Sequence, residues 1–426
     1  MSVLCGLNKS VIAVAKKHYD AVLTDIVLPY REVHRYVRPV ICVVGVLANI
    51  AIILVLLRPV MRRSPINILL IVIAVFDMTL MATYFVFGAI EMCNPVFFSY
   101  AWIVYTQFYA IFSVFAHSAS LWLTVVMAGM RYLILRQARS SRGGPSVDST
   151  RGAVIGVIIA MIISLIGSVP NFLRYNIIDH GARPVPSLCT AETSTYRRHF
   201  VNESSTVNAF SLGRPEWWNC GWERFNFWTS GMLLKIMPCV LLTIFMALLV
   251  RLLVEARQRR NRLRRTIHTD TNRRSRRSSA ERTTTMLILI VLVFLVTELP
   301  QGMLVVATGI QPTVLFIMSH FGDVLDLLSL INSSFNFVLY CTMSAQFRLQ
   351  FILTFGACCK RCFAMPRDTV TTFITSRAAP NDMKSECARL TTELNGNGPL
   401  SASVVLSASV DESPNGGDQR LAATAV

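Results

Sequence analysis

The sequence has little charge and few acidic residues. Only 15% of its 426 residues are charged, 24 of them acidic, whereas 53% are hydrophobic and gathered into long blocks instead of amphipathic spacing. This composition is typical of a membrane protein. An internal repeat is also missing and the number of long apolar blocks is odd, which disfavours a transporter built from two equal halves.

Seven of the apolar blocks reach the ~20 residues that are needed to cross a hydrocarbon layer of ~30 Å. Each is expected to be a helix, because lipid offers no partner for an unpaired backbone. The predicted fold is therefore an all-α integral membrane protein, a seven-transmembrane helix bundle. The blocks are about 37–57, 66–90, 100–130, 153–173, 228–253, 286–310 and 312–341.

The net charge of +17 is distributed unevenly over the connecting segments. Loops 58–65, 131–151 and 251–285 carry three, five and twelve Lys or Arg residues, whereas 91–99, 174–227 and 311–317 carry none, six and none. The basic loops should be cytoplasmic, so the N-terminus is expected outside. The run RQRRNRLRR at 257–265 could suggest nucleic acid, but it joins two spans and is better explained by anionic lipid or a cytoplasmic protein partner.

The chain is thus expected to have four regions. Residues 344–363 are predicted to form an amphipathic eighth helix with one face made by Phe347, Phe351, Ile352 and Phe355, and the tail is expected to be disordered and phosphorylatable. No cleavable signal peptide is evident. The regions are an extracellular segment 1–36, the bundle 37–343 with its long extracellular loop 174–227 and its basic cytoplasmic loop 251–285, the helix and Cys cluster 344–363, and the tail 364–426.

Cysteines and glycosylation sequons follow the same topology. A disulfide is expected among the extracellular cysteines Cys5, Cys93, Cys189 and Cys220. The inner cluster CCKRC favours palmitoylation over metal binding, because no histidine or fourth cysteine completes a zinc set nearby. The predicted palmitoylation sites are Cys358, Cys359 and Cys362, and the predicted glycosylation sites are Asn8 and Asn202.

Polar residues and prolines inside the predicted spans are informative, because each polar side chain there needs a partner or water. They occur in order along the helices: Asn49, Asp77, Arg131 in GMRY, Pro238, Pro300 and NSSFNFVLY at 332–340. This set resembles a rhodopsin-like (class A) G-protein-coupled receptor over about residues 37–355.

Four further segments narrow the resemblance: YREVHRYVRPVICVVGVLANI, MRRSPINILL, TELPQG and NSSFNFVLYCTMSAQFR. They resemble the invertebrate myosuppressin and FMRFamide-like peptide receptors and the related nematode serpentine receptors. The resemblance implies a non-enzymatic, multi-pass receptor of the plasma membrane without a cofactor. Its expected partners are an extracellular RF-amide or myosuppressin-like peptide, a heterotrimeric G protein of the Gi/o type, arrestin and a receptor kinase on the tail, and the lipid bilayer.

The sequence departs from the receptor pattern at several positions. The acidic residue usually found before the helix-three Arg is Met130, for which Glu281 could substitute. The helix-seven Pro is Phe337, and the Trp two residues before the helix-six Pro is Glu298. A carboxylate at that depth costs roughly 2.5 kcal/mol or more, which raises the question of its partner.

The usual helix-three cysteine is also missing, since Thr106 stands 25 residues before Arg131. Cys93 is therefore expected to bond either Cys189, which is preferred, or Cys220.

The resemblance implies two groups of residues inside the bundle. The first is an activation cluster that could hold a hydrated Na⁺ or a proton on Asp77, although Asp77 could also be a packing residue. The second contains the switch residues, of which Arg131 is expected to contact the G protein. The cluster is Asn49, Asp77, Ser120, Asn332, Ser333 and Asn336, and the switch residues are Arg131, Tyr132, Tyr340, Pro238 and Pro300.

The outer half of the bundle contains acidic side chains with few basic partners in the spans, of which Lys235 is the obvious one. One interpretation is an anionic cavity for the guanidinium of an Arg-Phe-amide peptide. The other is a structural Glu298–Lys235 pair. The candidate ligand-binding residues are Glu298, Gln301, Asp323, Asp326, Glu91, His117 and Trp102.

Other functions are disfavoured by single residues. The position of the amine-binding Asp, eighteen residues before Arg131, is Ser113, and helix seven has no Lys for a retinal Schiff base. Only His117 and His320 lie in spans, so a three-histidine zinc hydrolase would lack ligands. A chemoreceptor for an environmental small molecule is the alternative within the fold. A channel or transporter is the alternative outside it, but it would need polar stripes that cross the whole membrane.

Overall fold

The computed structural model describes residues 8–139, 150–192, 194–202, 206–264 and 273–362. Seven helices in these ranges are long and apolar enough to cross a membrane, which confirms the predicted seven-helix membrane fold. The chain divides into the units Met1–Cys359 and Lys360–Val426, and all sites below belong to the first. The predicted tail 364–426 lies outside the described residues.

The helices and strands follow one another in a simple order. Two elements are neither α-helices nor strands: a 3₁₀-helix, Pro95–Phe98, and a π-helix, Thr229–Ile236. The others are α1 Lys9–Leu56, α2 Pro65–Ala89, α3 Tyr100–Arg139, α4 Thr150–Arg174, β1 Asn176–Pro184, α5 Ser187–Thr190, α6 Arg197–Asn202, β2 Thr206–Gly213, α7 Cys220–Trp228, α8 Met237–Arg264, α9 Arg273–Ile310, α10 Val314–Met343 and α11 Ala345–Cys362.

Helix α1 is far longer than the first apolar block predicts. It has 48 residues, a length of about 72 Å, whereas about 20 residues cross the hydrocarbon layer. Residues 9–36, expected only as an extracellular segment, thus continue the first span as helix. Helix α1 contains no glycine before Gly45, and it packs against α2 and α10. This packing brings basic side chains of α1 to the outer ends of other spans.

In helix α4, small and polar residues are buried and large apolar residues are exposed, as expected for a helix that faces lipid. Its buried face consists of small or polar residues such as Gly156, Ala160 and Ser164. Its large apolar residues, including Ile158 and Ile166, are exposed. Small residues allow helices in a membrane to approach closely, while branched apolar side chains face lipid. A soluble helix would show the opposite pattern.

The fifth span consists of α7, the π-helix and α8. Pro238 has no N–H to donate to the carbonyl of Leu234, so the α-helical ladder is interrupted there. The N–H of Met237 instead bonds the carbonyl of Met232, five residues back. The span begins at Cys220 and not near residue 228 as the apolar block suggests. Several helices likewise continue into predicted loops, α3 to Arg139 and α8 to Arg264.

The long segment between α4 and α7 contains a β-hairpin that apolar periodicity did not predict. Strands β1 and β2 pair antiparallel, with an irregularity between Asp179 and Ala182. Gly181 lies there with a φ of +70°, a conformation that favours glycine. Most of β1 is exposed, so no apolar alternation marks it in the sequence.

Helix α11 follows Ser344, which ends α10. Phe347 is completely buried and its ring contacts Phe337 and Tyr340 of α10. Phe351 and Phe355 continue this face, whereas Ile352 at its edge is exposed. The three phenylalanines are four residues apart, and Ile352 is rotated by ~100° from Phe351. A position of this helix at the membrane surface stays a prediction.

Candidate functional site

Asp77 on α2 lies in a buried polar cluster at the centre of the bundle. Its Oδ1 accepts hydrogen bonds from the hydroxyls of Ser120 on α3, at 2.8 Å, and Ser333 on α10, at 3.1 Å. Its Oδ2 accepts one from the Asn336 amide at 2.9 Å. Three helices thus meet at one carboxylate, and every donor that reaches it is electrically neutral.

Two residues predicted for this cluster bond elsewhere. Asn49 is completely buried, but its amide donates to the carbonyl of Gly45 in its own helix at 2.9 Å. Asn332 donates instead to Glu298 at 3.3 Å. Because Asn332 and Ser333 are adjacent on α10, their side chains point in directions ~100° apart and serve different carboxylates.

Glu298 on α9 is completely buried and has three partners. Its Oε2 accepts hydrogen bonds from Lys235 of the π-helix, at 3.1 Å, and from Nε2 of His117 on α3, at 2.9 Å. Its Oε1 faces Asn332 on α10. This geometry corresponds to the structural Glu298–Lys235 pair, with His117 added. Glu298 is therefore already occupied and does not present a free carboxylate to a ligand.

The Glu298 centre extends outward through Gln301, which lies one turn away on α9. The ammonium of Lys235 also donates to the side-chain oxygen of Gln301 at 2.7 Å. The amide of Gln301 in turn donates to the carbonyl of Leu325, at 2.6 Å, and to the hydroxyl of Ser329, at 2.9 Å. The π-helix, α3, α9 and α10 are thus joined by one buried polar network. Removal of one charged member would leave another without its counter-charge.

The outer acids are also paired, contrary to the expectation that basic partners are scarce. Asp323 on α10 forms an ion pair with Arg31 at 3.3 Å, and Glu91 beyond the end of α2 pairs with Arg35. Both arginines come from the outer part of α1. The expectation is wrong because it counted basic residues in the apolar blocks, and residues 9–36 were not recognised as a continuation of the first helix.

Asp326 and Trp102 belong to neither of these ion pairs. Asp326 accepts a hydrogen bond from the hydroxyl of Tyr84 at 3.2 Å. Trp102 is buried between the rings of Phe87 and Tyr105, at centroid distances of 6.2 and 5.3 Å. The predicted ligand-binding residues are therefore spread over two levels, the outer ion pairs and the buried Glu298 centre.

The inner end of the bundle contains the predicted switch residues. Arg131 on α3 donates to the hydroxyl of Tyr340 on α10 at 3.3 Å. These two side chains line a cavity of about 310 Å³ together with Leu56, Met61, Asn67, Ser344 and Phe347. Tyr132 packs in a different direction, against the apolar cluster between α3, α8 and α9. The side chain of Glu281, the suggested partner of Arg131, lies outside the described residues.

The outer loop is fastened by a disulfide between Cys93 and Cys189, the preferred of the two pairings that the sequence left open. Cys220, the other candidate, is itself disulfide-bonded. Thr106, which replaces the usual cysteine, donates to the carbonyl of Trp102 within α3. Asn8 is exposed at the start of α1, whereas the side chains of Asn202, Cys358, Cys359 and Cys362 are not described.

One charged cluster was not predicted from the sequence. Glu223 in the first turn of α7 is buried and accepts hydrogen bonds from Arg174 at 3.0 Å and Arg214 at 2.9 Å, both on Oε1. Its Oε2 accepts one from the indole N–H of Trp218 at 2.7 Å. The segment EWWNCGWER contains the available signal, a glutamate among tryptophans four residues after the N-cap Asn219.

The relatives of the chain agree with this architecture. The protein is 32% identical to the G-protein coupled receptor dmsr-1 of Caenorhabditis elegans over 83% of this chain and 75% of the relative. It is 25% identical to the sex peptide receptor-related protein 2 of the same organism, over 76% and 71% of the two chains. Identity to the sex peptide receptor of Drosophila melanogaster is 23%, over 74% and 71%.

The sequence pattern of one receptor family covers the whole bundle. The family described as serpentine type 7TM GPCR chemoreceptor Srw matches residues 36–358, from the outer part of α1 to α11. The match includes the Asp77 cluster, the Glu298 centre and Arg131. Membership also makes the chain a receptor and not an enzyme. The protein belongs to the Srw family of serpentine seven-transmembrane G-protein-coupled receptors.

Proposed function

We propose that the protein is a neuropeptide receptor of the plasma membrane, with its N-terminus outside, that responds to an amidated RF-amide or myosuppressin-like peptide. The observation that carries the proposal is the pair of exposed acids, Glu91 and Asp323, at the outer ends of two spans. A guanidinium on the ligand would find carboxylate partners there. Two relatives are named for the sex peptide, which supports a peptide ligand.

The two levels of acids suggest different roles. Glu91 and Asp323 are about half exposed and can be reached by a peptide, whereas Glu298 is completely buried and already paired with Lys235 and His117. We infer that the peptide binds the outer acids and that Glu298 responds to it through its neighbours. This division modifies the expectation that a ligand arginine binds Glu298 directly.

A continuous polar face of α10 supports a route from the ligand to the cytoplasm. It begins with Asp323 and Asp326 and ends at Tyr340, the partner of Arg131. The residues between them, which bond Gln301, Glu298 and Asp77, are Ser329, Asn332, Ser333 and Asn336. Their spacing of three or four residues keeps most of them on one side of the helix. A ligand that prefers one arrangement of α10 would shift the population toward it.

In the proposed active arrangement, α9 moves outward about Pro300 and the cavity at Arg131 accepts a G protein. Coupling to Gi/o rests on the family resemblance. The basic ends of α8 and α9 suit the inner leaflet and an acidic protein partner. Arrestin and a receptor kinase are proposed to act on the tail.

A screen of amidated peptides on cells that express the receptor tests the proposal. G-protein activation is read with biosensors for each G-protein class, and surface expression is measured in parallel. An RF-amide peptide that activates Gi/o in receptor-expressing cells only would support it. If no RF-amide peptide activates a G protein at normal surface expression, the ligand assignment is contradicted.

The family description favours a second candidate, since it names chemoreceptors. Under that reading the ligand is an environmental small molecule. The same cells separate the two functions when peptides and small volatile or soluble compounds are compared side by side.

A further inference from the structure

Arg31 and Arg35 bind the two carboxylates that a cationic ligand is expected to use. Arg31 contacts Asp323 on α10, and Arg35 contacts Glu91 beyond α2. The two arginines are four residues apart, so they lie on one face of α1. The outer part of this helix thus carries the same chemical group, a guanidinium, as the arginine of an RF-amide peptide.

These ion pairs are open to exchange. The side chains are 51% and 38% exposed in the Arg31–Asp323 pair and 57% and 48% exposed in the Arg35–Glu91 pair. Exposed ion pairs contribute little to stability, because water solvates the separated charges almost as well. The contrast with Glu298, whose side chain is fully buried with two basic partners, indicates which acids can change partner.

The contacts around the pairs would hold α1 in place after such an exchange. His34 lies between the two arginines in the sequence. Its Nε2 atom forms a hydrogen bond of 3.3 Å with the hydroxyl of Tyr84. Tyr30 donates to the backbone carbonyl of Asp323 at 3.3 Å. Neither contact uses the carboxylate of Asp323 or Glu91.

We propose that Arg31 and Arg35 are internal competitors of the ligand: they occupy Asp323 and Glu91 in the resting receptor, and a ligand guanidinium displaces them. The inference rests on the proposed peptide-receptor function and names two residues that set ligand affinity without belonging to the ligand's contacts. The displaced arginine side chains would rotate into the solvent, and the ligand guanidinium would neutralise the carboxylates in their place.

The alternative role of Arg31 and Arg35 is purely structural: their ion pairs hold the outer part of α1 in place. Removal of such ion pairs would loosen this part of the helix and weaken binding or lower the amount of receptor at the surface. Removal of a competitor would strengthen binding of cationic peptides. The two roles therefore predict changes of opposite sign.

Binding of fluorescent Phe-Met-Arg-Phe-amide to the purified full-length receptor decides between them. In the double variant R31Q/R35Q we expect the Kd to fall roughly three- to tenfold, the range expected for removal of exposed ion pairs. A matched peptide has citrulline in place of arginine, and in both peptides the fluorophore acylates the N-terminal amine. The citrulline peptide then has no cation and should bind the two receptors equally. The control variant K16Q/K17Q removes two exposed charges from the same helix and should leave the Kd of both peptides unchanged.

A double-mutant cycle sharpens the test. When Asp323→Asn and Glu91→Gln are already present, R31Q/R35Q should no longer improve binding. A second variant, R31K/R35K, keeps both charges and should bind as the wild type does, which controls for folding.

Each result has a defined meaning. An unchanged or weaker affinity of R31Q/R35Q for the arginine peptide, or no binding by any variant, would overturn the competitor role. Tighter binding without any G-protein response would support the competitor role and contradict the proposed signalling function. Signalling by an uncharged peptide alone would preserve the receptor assignment and overturn the competitor role.

Discussion

Glu298 and Asp77 are both deeply buried carboxylates, but their surroundings differ. Glu298 is bonded to Lys235 and His117, whereas Asp77 is bonded to two hydroxyls and one amide. Both accept hydrogen bonds from α3 and α10, and their partners on α3, His117 and Ser120, are one turn apart. Their hydrogen-bond partners are similar in number, so the difference is one of charge.

The difference shows which carboxylate needs a further partner. Lys235 supplies a full positive charge to Glu298 in the absence of any ligand. The neutral donors of Asp77 stabilise its carboxylate but leave the charge uncompensated, and a buried uncompensated charge is costly. The oxygens of Asp77, Ser120 and Ser333 are hard ligands of the kind that suits Na⁺. We therefore expect Glu298 to be a fixed link and Asp77 to be the site that responds to ions.

The largest effect is expected from Lys235→Met, which leaves Glu298 buried without its ammonium. Breaking a buried ion pair by loss of one partner costs about 3–5 kcal/mol. We expect little receptor at the cell surface and a sharply lower Tm in detergent. The double variant K235M/E298Q removes both charges and should recover much of the loss. Equal stability of the single and double variants would show that the pair is not a structural link.

The next effect in size is expected from Glu298→Gln, which keeps the shape of the side chain and removes its charge. Lys235 and His117 lose their shared acceptor, and the link between the π-helix and α9 weakens. We expect peptide potency to fall about tenfold, or basal activity to change, because hydrogen bonds to charged groups contribute about 1.5–3 kcal/mol. Dose–response curves at equal surface expression provide the measurement. If potency and basal activity both stay at wild-type values, Glu298 takes no part in the response to the peptide.

Asp77→Asn should abolish a sodium effect that Glu298→Gln preserves. At saturating Na⁺ the wild type should gain about 1–3 kcal/mol by linkage between ion binding and folding. Its Tm would then be higher in sodium chloride than in N-methylglucamine chloride of the same ionic strength. The Asn variant should have the same Tm in both salts. A wild-type receptor with equal Tm values in both salts would contradict ion binding at Asp77.

The smallest effect is expected from Ser120→Ala, which removes one neutral donor from Asp77. Such a change costs about 0.5–1.5 kcal/mol, well below the loss of Lys235 from Glu298. Thermal unfolding of the purified variants compares the two losses directly. Equal destabilisation by Ser120→Ala and Lys235→Met would remove the distinction between the two carboxylates.

The sequence predicts the spans and the Asp77 cluster well, because long apolar blocks and polar residues within them have few alternatives in lipid. Asp77, Ser120, Ser333 and Asn336 meet as expected. Asn332 shows the limit of such reasoning. It shares a helix face with Asn336, but a neighbouring carboxylate on α9 competes for its amide.

The outer part of the molecule is less predictable, since its structure depends on contacts between distant segments. Residues 9–36 of α1 are too polar to resemble a span, yet they form helix against α2 and α10. Glu223 illustrates the same point, because its arginine partners lie 49 and 9 residues away in the chain. Neither partner is marked by periodicity or by a local motif.

The π-helix Thr229–Ile236 has a consequence for any mutational scan of the fifth span. Its wider turn advances through fewer degrees per residue than an α-helix does. Both α7 and α8 have α-helical periodicity, but the faces of α8 are therefore rotated relative to those expected if the helical wheel of α7 simply continued. A scan that assigns faces from one helical wheel would misplace Glu223 relative to Lys235. Deletion of one residue within 229–236 should bring the two halves into phase and rotate one of the two residues away from its partners.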